Sequence, residues 1–200
     1  MVLELERLRI ADRDAWLAPL ALAALMLALQ LTNLDALRYD RAAVLHGELW
    51  RLVTGHFVHA DAAHLAWNLA GLALVAWLFV REYERREWLV ILVASTVAID
   101  LGFLLLEPQL EWYVGFSGVL HGLMAGGLLA WLVRHRDGVT VIVALVFAAK
   151  LAWEHLVGPL PFTAQTLSLP VIHQAHTYGA IGGALGAWAC LRRKRSHSPL

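Results

Sequence analysis

Six nearly uncharged stretches of about 20 residues, the length that crosses a bilayer as a helix, divide this 200-residue chain. They are Ala15–Leu34, Ala62–Val80, Trp88–Leu106, Trp112–Val133, Val139–Val157 and Val171–Leu191. Hydrocarbon offers a backbone no outside hydrogen-bond partners, so a chain with these runs is confined to a bundle of spanning helices. Composition agrees, because 60% hydrophobic and 16% charged residues do not describe a water-soluble domain of this size. The expected fold is all-α: a polytopic six-helix membrane domain over residues 15–191, with segments 1–14 and 192–200 outside it. No second domain fits in what remains.

The first fourteen residues mix Arg7, Arg9 and Arg13 with Glu4, Glu6, Asp12 and Asp14. No convincing small-residue cleavage site follows the first apolar run, so they read as a retained cytoplasmic lead-in rather than a cleaved signal. Of the 16 Lys and Arg residues, twelve fall on one side of the layout: Arg7, Arg9, Arg13, Arg81, Arg85, Arg86, Arg134, Arg136, Arg192, Arg193, Lys194 and Arg195. Arg38, Arg41 and Arg51 fall on the other, and Lys150 is inside a span. The basic side faces the cytoplasm, so both termini are expected there. Formal net charge is zero and the basic tail is explained as an inside anchor, which leaves no case for nucleic acid. The single Cys190 cannot form an internal disulfide and is expected to pack at a helix end.

In this topology the second, fourth and sixth spans all run inward, so residues near their starts share one depth. His64 and Asn68 begin the second, Ser117 and His121 the fourth, and His176 the sixth. Ionisable groups inside a membrane are expensive, and several at one level suggest function. His64 and Asn68 are four residues apart, as are Ser117 and His121, so each pair shares a helix face. Gly118, Gly122 and Gly126 line the serine helix, and Gly179 with Gly183 line the histidine helix, with Gly182 and Gly186 alongside. Small residues at that spacing let backbones approach closely. Ser117 and His176 can then meet at hydrogen-bond distance, as a general base and its nucleophile must. The bland account of the same residues is that the glycines only pack helices and the polar groups bond to carbonyls.

Other polar residues carry weaker signals. Lys150 and Glu154 form an i, i+4 pair that can neutralise itself. Asp100 has no evident partner and can serve either a structural hydrogen bond or substrate reading. His56 and His59 lie near the water boundary and are expected to be interfacial, His59 with a possible contact near the site. An HExxH metalloprotease helix is absent, and Asp100 alone cannot make an aspartyl dyad. A metal or haem site built from His64, His121 and His176 is the best alternative of a different class, but it leaves the flanks of Ser117 unexplained.

Four motifs carry a family resemblance. Gly115-Phe116-Ser117-Gly118 resembles the GxSG motif of rhomboid intramembrane serine proteases. His64-Leu65-Ala66-Trp67-Asn68 resembles their HxxxN, Ala175-His176-Thr177-Tyr178-Gly179 through Gly183 their AHxxGxxxG, and Glu48-Leu49-Trp50-Arg51 their first-loop signature. Trp112-Tyr113-Val114-Gly115, together with His121-Gly122 and the minimal length, is similar to the rhombosortase branch. The resemblance implies that Ser117 is nucleophile and His176 general base. It implies an oxyanion site from the Ser117 N–H, His64 and Asn68, with Gly115, Gly118 and His121 supporting the pair. His121, where an aromatic is usual, would orient the His176 ring or replace a water contact. The resemblance also implies a dyad without a carboxylate, and no Asp or Glu flanks His176 in the chain. Trp50 and Arg51 would be structural, and the 158–165 loop, with Phe162 as an apolar plug, would gate substrate entry. No metal or other cofactor is implied. Substrates would be single-span membrane proteins with a glycine-rich C-terminal sorting tail, cut in a bacterial inner membrane on its periplasmic side. A catalytically inactive, client-binding relative is the remaining alternative.

Overall fold

A computed structural model describes residues 2–159 and 171–197, with side chains for 14–159 and 171–194. Six long helices follow in the expected order: α1 (Val2–Leu29), α5 (Ala62–Phe79), α6 (Arg85–Leu106), α7 (Ser117–Arg134), α8 (Gly138–Leu156) and α9 (Gln174–His197). Between α1 and α5 run three short turns of helix, α2 (Leu34–Leu37), α3 (Arg41–Leu45) and α4 (Arg51–Thr54), and a two-residue strand β1 (Tyr39–Asp40). Among the described residues α5, α6, α7 and α8 are each long and apolar enough to cross a membrane, and Asp14–Leu29 is a shorter apolar stretch. α9 is less apolar because it opens on Gln174-Ala175-His176-Thr177 and closes on Arg192-Arg193-Lys194-Arg195.

Helix starts are set by side chains that satisfy the free N–H groups of the first turn. The Asp61 carboxylate accepts from the His64 N–H at 2.7 Å and begins α5; Asp137 accepts from the Thr140 N–H at 2.8 Å and begins α8. Two boundaries fall well inside the apolar runs, at the end of the first and the start of the fourth. The first helix ends at Leu29 rather than Leu34. The fourth run does not start as helix: Trp112–Tyr113 is a strand, β2, paired antiparallel with β1 in the register Tyr39 to Tyr113 and Asp40 to Trp112. Gly115 then turns the chain with φ +121°, a conformation that favours glycine, and its N–H donates to Gly55 O at 3.0 Å. Only after that turn can α7 begin, and its first residue is Ser117.

The core is built around α7, which packs against α5, α6 and α9. Phe79, Ile91, Ile99, Phe103, Phe116 and Val119 are enclosed there. The α7–α9 contact is closest. A Cβ on Gly179 would come within 2.0 Å of Gly118 O, and one on Gly183 within 2.0 Å of Gly122 O. The glycines thus bring two backbones together where any larger residue would part them. Before α5, Arg51 holds the connecting segment in shape. Its Nη1 donates to Asp35 O at 2.7 Å and Arg38 O at 2.9 Å, and its Nε to Glu48 at 2.7 Å. Trp50 Nε1 donates to Ala36 O at 3.3 Å. Cys190 is buried on α9.

Candidate active site

Ser117 is the first residue of α7, so its backbone N–H and those of the next two residues have no partner within the helix. His176 lies three residues before Gly179, on the stretch of α9 pressed against α7. The consequence is direct contact: His176 Nε2 lies 3.0 Å from Ser117 Oγ. His176 is buried, while Ser117 is half-buried and faces a cavity of about 770 Å³.

The expectation that no carboxylate accompanies the base is not met. Glu154 on α8, 1% exposed, places Oε2 2.8 Å from His176 Nδ1. A carboxylate at pH 7 can only accept, so this bond puts the proton on Nδ1 and leaves Nε2 bare toward the serine hydroxyl. Lys150 donates to the same Oε2 at 2.6 Å and also to His121 Nε2. His121 Nδ1 in turn donates to Ser117 O at 2.7 Å. Both imidazoles thus carry their hydrogen on Nδ1. Their rings stack with centroids 4.0 Å apart and planes 15° apart, and Phe147 also stacks on His121, with centroids 5.8 Å apart. The two imidazole rings are thus in face-to-face contact beside the serine.

Gly115 and Gly118 both lie at points of close approach. A Cβ on Gly115 would come within 2.7 Å of His64 Nε2, and one on Gly118 within 3.0 Å of Ala175 O. Removing the Cβ at Gly115 lets the His64 ring lie over the turn that delivers Ser117. His64 and Asn68 line the same cavity as Ser117 and His176. Asn68 Nδ2 donates to His64 O at 2.9 Å, which uses one of its two hydrogens. Trp67, Met124 and Phe147 supply an apolar wall from α5, α7 and α8. Phe162, expected to plug the entrance, lies outside the described residues.

The loop histidines are buried rather than interfacial. His59 is 1% exposed and stands edge-on to His64, with ring centroids 5.1 Å apart. Burial, and then the neighbouring His64, pushes its pKa down to about 3, so it is neutral. Asp100, for which spacing offered no partner, accepts from His56 Nε2 at 3.2 Å. The His56 ring meets the edge of Tyr113, whose hydroxyl donates to Gly115 O at 2.6 Å. That chain of contacts supports the turn before Ser117 from behind.

A possible metal-binding group exists among the described residues, but it is not the expected set. His121, Glu154 and His176 offer ligand atoms within 4.8 Å of one another, while His64 is not among them. The Lys150 ammonium already sits among these three, bonded to His121 and Glu154 and 3.3 Å from His176 Nδ1. A fixed positive charge fills the position a cation would take.

A serine hydroxyl bonded to an oriented imidazole, in a cavity of a helical bundle, is the site of a serine hydrolase in a multi-pass membrane protein. Residues 46–193 match the rhomboid domain family. The chain belongs to that family, whose protease members among its relatives make it an intramembrane serine peptidase. YdcA of Bacillus subtilis (strain 168), a candidate rhomboid protease, is 26% identical over 156 residues, 76% of this chain and 72% of that protein. RHOMBOID-like protein 7 of Arabidopsis thaliana is 30% identical over 146 residues, 69% of this chain and 42% of that one. The rhomboid protease GluP of the same Bacillus strain is 27% identical over 113 residues, 54% and 22% of the two chains. The chain thus spans less than half the length of the last two.

Proposed function

We propose that Ser117 and His176 carry out endoproteolysis in or near the membrane anchor of single-span substrates. The observation that carries this reading is the 3.0 Å contact between Ser117 Oγ and His176 Nε2. His176 takes the hydroxyl proton as Oγ attacks the scissile carbonyl, returns it to the leaving amine, and water then releases the acyl group. The developing oxyanion sits at the start of α7, where free N–H groups and the helix dipole favour negative charge. The Ser117 N–H, His64 and Asn68 serve as its donors, and His121 with Gly115 and Gly118 holds the pair in register.

The membrane domain of this reading has six spans, both termini cytoplasmic and the site toward the periplasm of a bacterial inner membrane. Its excess of basic residues on one side supports that orientation. Substrates enter sideways past α8, whose face is largely exposed at Val139, Ile142, Leu145, Val146 and Leu156. The flanks of Ser117 and the minimal length favour the rhombosortase branch, and with it substrates bearing a glycine-rich C-terminal sorting tail.

The test has two arms. A fluorophosphonate should label Ser117 in the purified protein and fail to label His176→Ala. Co-expression with a glycine-rich-tailed substrate should release it from the membrane, and Ser117→Ala should not. Release by both would overturn the proposal.

A further inference from the structure

α8 buries two of its side chains, Thr140 near its start and Glu154 near its end. Most of the rest of its surface is exposed valine, leucine, isoleucine and tryptophan. A helix that faces lipid gains nothing by enclosing a carboxylate, because moving the charge out of water costs several kcal/mol unless partners replace the lost hydration. An i, i+4 pair with Lys150 could in principle be made at the helix surface. Here it is turned inward, and the carboxylate is spent on the imidazole that faces Ser117.

We propose that Glu154 is the positioning carboxylate of His176, so that the site works as a Ser117–His176–Glu154 triad, held in place by Lys150. This rests on the reading of Ser117 and His176 as nucleophile and base. The shorter contact at Nδ1, to the carboxylate at 2.8 Å rather than to Lys150 Nζ at 3.3 Å, decides the tautomer. Glu154 Oε2 accepts from Nδ1–H at 2.8 Å, fixing the tautomer in which Nε2 accepts from the serine hydroxyl at 3.0 Å. When Oγ attacks, its proton moves to Nε2, the Nδ1 proton stays where it is, and Glu154 remains ionised beside the imidazolium. Lys150 has a separate task. It donates to Glu154 Oε2 at 2.6 Å and to the bare Nε2 of His121. One ammonium thereby holds the carboxylate and the ring stacked on His176. The rival account is that Glu154 only neutralises Lys150.

The full chain in lipid nanodiscs distinguishes them, with a fluorophosphonate as probe. Wild type should label at Ser117 and Ser117→Ala should not. Glu154→Gln, which keeps the shape and removes the charge, should label about 10²-fold more slowly or worse, and Glu154→Asp should recover part of that rate. The deciding protein is the Lys150→Met, Glu154→Gln double variant, which carries no unpaired charge. It should stay as slow as Glu154→Gln. Labelling at the wild-type rate would mean that the carboxylate serves the lysine alone, and would overturn the proposal.

A second measurement does not depend on activity. Histidine-labelled Ser117→Ala protein should show a proton resonance far downfield of the amides, from His176 Nδ1–H against the carboxylate. It should be absent from His176→Ala and move upfield in the double variant, where a neutral amide oxygen replaces the carboxylate as acceptor, and an unshifted resonance there would refute the assignment. Failure of the probe to label wild-type Ser117 would overturn the serine reading and this inference together. Serine-dependent labelling that survives Glu154→Gln at full rate would overturn this inference alone.

Discussion

Gly179→Ala is the sharpest test of how the bundle assembles its site. The added carbon would stand 2.0 Å from Gly118 O, and ordinary contact begins near 3.4 Å, so α7 and α9 must part by about 1.4 Å or more. His176 is one turn from Gly179 and Ser117 adjoins Gly118, so the same displacement falls on the hydrogen bond between them. A contact of 3.0 Å moved by that amount leaves the range in which a base takes a proton. A misplacement of about 1 Å at reacting groups costs roughly 10²-fold in rate, and overpacking a tight interface costs about 1–3 kcal/mol of stability. The fluorophosphonate labelling rate at Ser117 and the thermal unfolding midpoint should therefore both fall. Gly183→Ala, whose carbon would meet Gly122 O at 2.0 Å one turn further along, should do the same. Gly138→Ala is the control, because nothing lies within 4 Å of the added carbon. Wild-type labelling by Gly179→Ala would refute the argument that backbone contact sets the distance between hydroxyl and imidazole.

His64→Ala and Asn68→Ala should each slow turnover by about 10²–10³-fold, as loss of one oxyanion donor does; rates within twofold of wild type would remove both from that role. Lys150→Met leaves His121, Glu154 and His176 with ligand atoms within 4.8 Å and no ammonium among them. It should bind one equivalent of zinc by metal analysis and lose its residual activity to it, and a zinc response equal to wild type would count against the ammonium as the occupant. His59, held neutral by burial with its pKa pushed down to about 3, stabilises the fold fully above its unfolded value of about 6.5. That contribution is lost as pH falls toward 3, at up to about 1.4 kcal/mol per pH unit. The unfolding midpoint should thus drop between pH 7 and pH 4 less steeply in His59→Asn than in wild type, and parallel curves would exclude His59 as the cause.

The contact between Ser117 and His176, 59 positions apart, is legible in the chain because of the glycines beside each of them. Each sits within a turn of the glycines that bring its helix into contact, and Ser117 and His121 share a face by spacing. Glu154 could not be found that way. It precedes His176 by 22 positions on another helix, and only the rotation of α8 decides whether its carboxylate meets lipid, lysine or imidazole. A signal was present all the same: a Lys–Glu pair in the middle of an apolar helix is costly enough to require a destination. Asp100 hid its partner for a similar reason, since His56 lies in an irregular segment where no period applies. The strand at Trp112–Tyr113 is hidden in the sequence because apolar residues without alternation do not distinguish strand from helix over so short a run. The positive φ of Gly115 is what separates them.

These two carboxylates bear on the two reacting groups separately. Asp100, through His56 and Tyr113, supports the turn at Gly115 that delivers the hydroxyl. Glu154 holds the imidazole that receives its proton. The supports differ in how firmly they are held. Asp100 is on α6, deep in the packed half of the bundle, whereas Glu154 is on α8, which buries little besides that carboxylate and Thr140. An outward swing of α8 would therefore leave the serine turn in place and withdraw the carboxylate from Nδ1. In a site that admits substrate past α8, the opening that lets a peptide in would also release the base from its fixed tautomer, and closure over the bound peptide would restore it. Tethering α8 to α7 by a cross-link should then slow cleavage of a membrane-anchored substrate while leaving labelling by a small fluorophosphonate intact. Equal loss of both would show that α8 does not have to move for substrate to enter.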